Sequence, residues 1–286
     1  MKRTLERLLT RERIWFFTMP ALLWQTIFYY IPIGGMIVLS FTHPAVSAWF
    51  TLENYRHFFT NTYVLIIGRS LLLALVNASL CLIAAYPVTY YIALKVRPAL
   101  RNIFLFFLIV PFWTSLLVQV YAWFFVLERY GLINSLLLKL GLISQPLALL
   151  NNTFAIYLVM LYCYLPFMIM PLYSTLEKLD RRLLEAAADL GAAARHTFFK
   201  VTLPLTMPGI RTGFFLVFVP SFGELVVPTL LGGGKQLFVG TVISQYFLGA
   251  QDMHLGAAFT TISGVALAIC ALTIQWFFVR SLKWYR

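Results

Sequence analysis

Six long apolar stretches separated by short polar intervals set the plan of the chain. They run near 14–40, 66–94, 103–127, 153–175, 208–231 and 257–280, and each offers the roughly 20 apolar residues that a helix needs to cross a hydrocarbon layer about 30 Å thick. The expected fold is therefore all-α, a polytopic bundle of six transmembrane helices. One polar interval differs from the rest because it carries a helical pattern of its own, the segment 180–204, "DRRLLEAAADLGAAARHTFFKVTLP". Asp180 is a suitable N-cap, Arg181 to Leu190 are mostly good helix formers, and Gly191 can take the left-handed conformation that ends a helix. Leu176, Leu179, Leu183, Ala187 and Leu190 recur at three- and four-residue steps and make one apolar face, with Arg182, Glu185 and Asp189 elsewhere around the axis. A second piece, Ala194 to Leu203, is expected to stop at Pro204, and Pro208 to open the next span.

Composition agrees with this pattern. Of 286 residues 61% are hydrophobic and 11% charged, with a mean hydropathy of +0.83, far outside the soluble globular range. The net charge of +12 would suit a nucleic-acid partner, but its distribution argues otherwise. Of the 22 Lys and Arg, 17 fall in the N-terminal tail, 95–101, 176–211 and the C-terminal tail, on alternate sides of successive spans. That bias puts both termini and the 180–204 interval in the cytoplasm and leaves no nucleic-acid face. Residues 1–13 read as a basic tail whose Leu5, Leu8 and Leu9 meet membrane lipid, followed by a single transmembrane domain over 14–286. The basic start and apolar run resemble a signal peptide, yet 14–40 is too long and lacks a small-residue cleavage site, so it reads as a retained first span. Cys81, Cys163 and Cys270 each lie in a different span, which excludes a disulfide framework. The four histidines have no ligand spacing, so no metal site is expected.

Two places inside the spans carry candidate chemistry. In the third, Pro111 is followed by Trp113, Thr114, Ser115, Gln119 and Tyr121, which predicts a kinked helix with a polar and aromatic stripe, either packed on neighbours or lining a pathway. In the fifth, Glu224 is flanked by Pro220, Gly223 and Pro228. A carboxylate at that depth costs at least about 2.5 kcal/mol, so it caps a broken helix or serves as counter-charge to a cationic solute. "LLGGGKQ" is not a phosphate loop, because Thr229 and Gln236 stand where that pattern needs glycine and Ser or Thr. No catalytic constellation is present, and no cofactor, ATP included, is expected on this chain.

Glu185-Ala186-Ala187, three residues, Gly191, nine residues, then Val201-x-Leu203-Pro204 resembles the EAA loop of the permease subunits of bacterial ABC importers, with Val201 in place of the usual isoleucine. "PFWTS", "LPFMIMPLYSTLEKLDRRLLEAAADLGA", "PLTMPGI" and "PSFGELVVPTLLGG" are similar to the permeases of polyamine importers, for putrescine and spermidine, over nearly the whole chain from Leu52. The resemblance implies a type I, MetI-like permease bundle in the bacterial inner membrane with cytoplasmic coupling helices. It implies a dimer of ATP-binding subunits that hydrolyses and binds the ATP, a second permease, homologous or identical, and a periplasmic or extracellular solute-binding protein. Glu185, Ala186, Ala187, Gly191, Leu203 and Pro204 would couple to the ATPase; Glu224, Trp113, Gln119 and Tyr121 are the candidate pathway residues. The rivals are an importer of the same superfamily for another small solute, and a secondary transporter or channel. The latter often shows inverted repeats, and none is evident here.

Overall fold

The computed structural model describes residues 18–42 and 50–283, and the basic tail 1–13 and the end of the "RSLKWYR" terminus lie outside them. Among the described residues every regular element is helical. In chain order we label α1 (Thr18–Ser40), α2 (Glu53–Phe58), α3 (Asn61–Leu94), α4 (Pro98–Ile109), α5 (Leu116–Leu127) and α6 (Leu132–Lys139). There follow α7 (Thr153–Leu176), α8 (Arg181–Asp189), α9 (Ala194–Phe222), α10 (Val226–Leu231), α11 (Val239–Ser244) and α12 (Met253–Lys283). Six stretches among the described residues are long and apolar enough to cross a membrane: α1, α3, Leu116–Lys139, α7, α9 and Met253–Arg280.

Two of these differ from the expected spans, both because of proline. The third was expected as one kinked helix over 103–127; instead α4 ends, a 3₁₀ turn covers Val110–Trp113, and Thr114 is extended (φ −82°, ψ 152°) before α5 begins. Pro111 has no N–H to continue the ladder and its ring crowds the carbonyl one turn back, so the helix breaks rather than bends. The fifth span was expected to begin at Pro208 after a stop at Pro204. In fact α9 starts at Ala194 and runs through both prolines, with a π-helical turn at Phe198–Thr202 in which Leu203 N–H donates to Phe198 O. The widened turn absorbs the mismatch that Pro204 would otherwise cause. The same device recurs in α1, where a π turn at Thr26–Tyr30 immediately precedes Pro32.

Contacts divide the chain into two compact units, Met1–Thr60 with Gln245–Ser263, and Asn61–Ser244 with Gly264–Arg286. In the first, α1 buries only Ser40. Asn54 of α2 clamps its end, donating to Ser40 O at 3.0 Å and Thr42 O at 2.8 Å, while Tyr55 Oη shares a hydrogen with Ser40 Oγ at 2.6 Å. Phe58 packs against Tyr246 and Phe259, and His254 Nδ1 lies 3.0 Å from Thr42 Oγ1.

In the second unit the core is α3, α7 and α9 packed against one another. Lipid tails are as apolar as leucine, so close backbone approach rather than hydrophobicity holds such helices together, and small residues make it possible. Ala74, Ala78, Cys81 and Ala85 form that strip on α3, all fully buried. On α9 the strip is Gly209 and Gly213: a Cβ at Gly209 would strike the Thr175 side chain and come within 2.8 Å of Pro171 O, and one at Gly213 would meet Met168 Sδ at 2.7 Å. Asn77 Nδ2 donates to Ser221 Oγ at 2.8 Å, tying α3 to α9, and Tyr86 Oη pairs with Thr206 Oγ1 at 3.0 Å. Asn77 thus faces other helices as its depth demands, whereas Ser79 returns its hydroxyl to Leu75 O of its own helix. Gly209→Leu is expected to destabilise the protein by about 3 kcal/mol or more, because the obstruction includes backbone that cannot swing away. A thermal midpoint in detergent equal to that of the unaltered protein would refute the close packing.

Candidate functional site

The segment from Glu177 to Ala193 joins the two core helices α7 and α9. Asp180 caps α8, its carboxylate accepting from Arg182 N–H at 3.0 Å. Gly191 closes it with φ +76°, its N–H donating to Ala188 O at 2.8 Å while Ala192 N–H donates to Ala187 O at 3.0 Å. The helix, its cap and its stop therefore fall where residue types alone placed them. Glu185, Ala186 and Gly191 are exposed, and Ala187, Leu203 and Pro204 are half-buried. The apolar face expected over 176–190 is only partly bare, because the chain breaks between Leu176 and Arg181: Leu176 ends α7 and is buried, Leu179 and Ala187 are half-buried, and Leu183 (47% exposed) and Leu190 (87%) are left uncovered by this chain. Beyond α8, the guanidinium of Arg195 sits 5.9 Å from the Phe199 ring centroid.

Glu224 lies at the junction between α9 and α10, after the C-cap Gly223, and is only 7% exposed. Both oxygens are engaged. Oε1 accepts from Val226 N–H at 3.0 Å and Val227 N–H at 3.4 Å, at the start of α10, and Oε2 accepts from Tyr164 Oη of α7 at 2.5 Å. Pro228 lies in the first turn of α10, where its missing N–H has no ladder to break. The carboxylate is thus held by two helices, α7 and the one it caps. Gly240 fits closely over the same junction, a Cβ there meeting Gly223 O and, at 2.8 Å, Glu224 O.

A cavity of about 290 Å³ adjoins this carboxylate from the α7 side. Its walls include Phe112 and Thr114 of the third-span break, Gln119 of α5, and Cys163, Tyr164 and Phe167 of α7. Phe112 meets Phe167 edge to face at 4.7 Å between centroids. Gln119 stitches the break: its Nε2 donates to Pro111 O at 2.7 Å and to Thr114 O and Oγ1 at 3.3 and 3.0 Å. Of the four residues singled out as pathway candidates, the structure brings two together, Gln119 in the cavity wall and Glu224 one hydrogen bond behind it. Trp113 (77% exposed) and Tyr121 (48%) are not among the lining residues. Tyr164 was not foreseen. A buried carboxylate announces the need for a donor, but which donor meets it depends on the register of α7 against α9, 60 residues away in sequence. A larger, open groove of about 500 Å³ lies elsewhere, between Phe124, Glu128 and the loop at Pro146–Asn151.

Residues 85–284 match the family of binding-protein-dependent transport system inner membrane components. The chain belongs to that family. The permease is 39% identical over 257 residues to the spermidine/putrescine transport system permease protein PotB of Escherichia coli (strain K12), covering 88% of this chain and 93% of that one. To the protein of the same name from Haemophilus influenzae it is 40% identical over 239 residues, covering 82% and 83%. An inner membrane ABC transporter permease of Escherichia coli, YdcU, shares 33% over 269 residues, covering 90% and 82%. Among solved structures the fold is similar to a bacterial ABC transporter involved in the import of the acidic polysaccharide alginate (TM-score 0.77, 17% identity, 97% of this chain and 99% of that one). A second structure, of the alginate transporter in complex with an alginate-bound periplasmic protein, gives a TM-score of 0.68 at 16% identity. The fold is that of an ABC importer permease of MetI type, and the permease is a multi-pass inner-membrane component of a binding-protein-dependent transport system.

Proposed function

We propose that this permease forms half of the translocation pathway of an ATP-driven importer whose solute is a polyamine, spermidine or putrescine. The observation that carries the reading is the near-full-length identity to permeases named for those two solutes. A second permease supplies the other half, a solute-binding protein delivers from outside, and a dimer of ATP-binding subunits drives the cycle from the cytoplasm, where both termini and α8 lie. The coupling contact is the Asp180–Pro204 element. Its favourable features are a helix capped at both ends, apolar residues left uncovered, and direct continuity with α7 and α9, two helices that contribute walls of the cavity. Closure of the ATPase dimer pushes α8, and that push reaches the solute cavity through two rigid helices, alternating its access. The experiment is uptake of labelled putrescine, labelled spermidine and an unrelated neutral solute into cells deprived of their own polyamine uptake and supplied with this permease and its partner subunits. Uphill accumulation of a polyamine that stops when the ATPase subunit is omitted is expected. Accumulation of neither polyamine, or uptake that continues without the ATPase, overturns the proposal.

A further inference from the structure

Hydrogen-bond bookkeeping around the 290 Å³ cavity restricts what can enter it. Tyr164 spends its only hydrogen on Glu224 Oε2, Thr114 gives its hydroxyl hydrogen to Pro111 O, and Gln119 spends its amide hydrogens on Pro111 and Thr114. None of the lining residues is basic. Apart from the weak thiol of Cys163, the side chains that face the cavity have acceptors to offer and no donors left. An anion, or a neutral solute that needs donors, finds no partner there. The Glu224 carboxylate lies one hydrogen bond behind the wall and reaches the cavity through the Tyr164 hydroxyl. A phenol that donates to a carboxylate is polarised so that its own oxygen becomes a better acceptor. Phe112, Phe167 and the Tyr164 ring supply aromatic surface for methylene groups and for a cation, and the volume lies at the small end of ligand sites, too small for an oligosaccharide.

We infer that this cavity receives one ammonium-terminated alkyl segment, with the Tyr164 hydroxyl as the contact that selects the ammonium group. Glu224 is a positioning residue: it fixes the hydroxyl rotor and polarises it while capping α10, and it does not itself touch the ligand. The inference rests on the proposed polyamine transport only for the identity of the natural solute; the preference for a short alkylammonium stands on the lining alone.

Cys163 in the cavity wall gives a direct test. In the assembled full-length transporter with Cys81 and Cys270 replaced by alanine, Cys163 is modified with 2-aminoethyl methanethiosulfonate or with the anionic 2-sulfonatoethyl reagent of the same length. Each rate is divided by the rate at Cys270 in a variant that retains only that thiol. The normalised ratio is expected to favour the ammonium reagent at least tenfold, putrescine is expected to slow the reaction, and Tyr164→Phe is expected to bring the ratio close to one. Equal normalised rates, or a Tyr164→Phe variant that keeps the full preference, would overturn the assignment. Absence of polyamine uptake together with an intact ammonium preference would instead overturn the transport proposal and leave the cavity's selectivity standing.

Discussion

Glu224→Ala abolishes solute uptake and lowers the thermal midpoint of the purified permease, while Glu224→Gln keeps the fold and depresses uptake: these are the expected results at the α9–α10 junction. The carboxylate satisfies the N–H groups of Val226 and Val227 and the hydroxyl of Tyr164. Alanine leaves three donors unpaired in a site screened from water, at about 1 to 3 kcal/mol each, so a loss of roughly 2 to 6 kcal/mol is expected even if one donor finds a new partner. Glutamine keeps an oxygen for the α10 amides but turns an NH₂ toward Tyr164, whose hydroxyl must rotate and accept. It also removes the negative charge from a helix start, a further cost of about 0.3 to 1 kcal/mol. Stability then falls by about 1 to 2 kcal/mol, and the hydroxyl can no longer present a polarised oxygen to the cavity, so uptake falls more than stability does. Midpoint and uptake both unchanged in the alanine variant would refute the capping role. Equal loss of uptake in both variants with unchanged midpoints would move Glu224 from positioning to direct contact with the solute.

Much of this arrangement could be read from residue types, and the parts that could not share a cause. Asp180 and Gly191 bound α8 because capping and left-handed termination are local properties of one residue and its nearest amides. Glu224 announced a helix break for the same reason: glycine and prolines surround it and a buried carboxylate needs donors. Proline was misread in two opposite directions. At Pro111 a bend was expected and the helix broke; at Pro204 and Pro208 a stop and a start were expected and α9 ran through. The sequence of a proline reports the missing hydrogen bond but not what compensates for it. At Pro111 the helix ends instead, and Gln119, eight residues on, satisfies the Pro111 and Thr114 carbonyls that the break leaves open; at Pro204 the compensation is a π turn whose cost is met by packing of α9 on α7 and α3. Tertiary register decided both. It likewise decided that Tyr164 meets Glu224, and that Trp113 and Tyr121 lie outside the cavity although they share a stretch of chain with Gln119.

The other large effect is expected at Gly191, where a substitution should disable the transporter without unfolding its spans. Gly191 holds φ +76°, a region that costs an L-residue on the order of 1 kcal/mol and that proline, locked near −65°, cannot reach. Gly191→Pro also deletes the N–H that closes α8 on Ala188 O, so the direction of α8 relative to the start of α9 changes. Gly191 is exposed, and a side chain there strikes nothing in the α3, α7 and α9 core, since a Cβ at Gly191 would meet no atom within 4 Å. The spans should therefore melt within a few degrees of the unaltered protein. If the Asp180–Pro204 element seats in the ATPase subunit, misdirecting it should cut uptake at least a hundredfold and remove the stimulation of ATP hydrolysis by loaded solute-binding protein. Glu185→Lys, a charge reversal on the exposed side of the same helix, should cut uptake about tenfold, which corresponds to about 1.4 kcal/mol of docking free energy. Gly191→Ala serves as the graded control: it reaches the left-handed region at modest strain and keeps the N–H, so its uptake should fall between the glycine and proline forms. Transport and stimulated hydrolysis at unaltered levels in the proline variant would mean that the force enters these helices elsewhere, and α8 would then be a surface helix whose bare leucines merely rest on lipid.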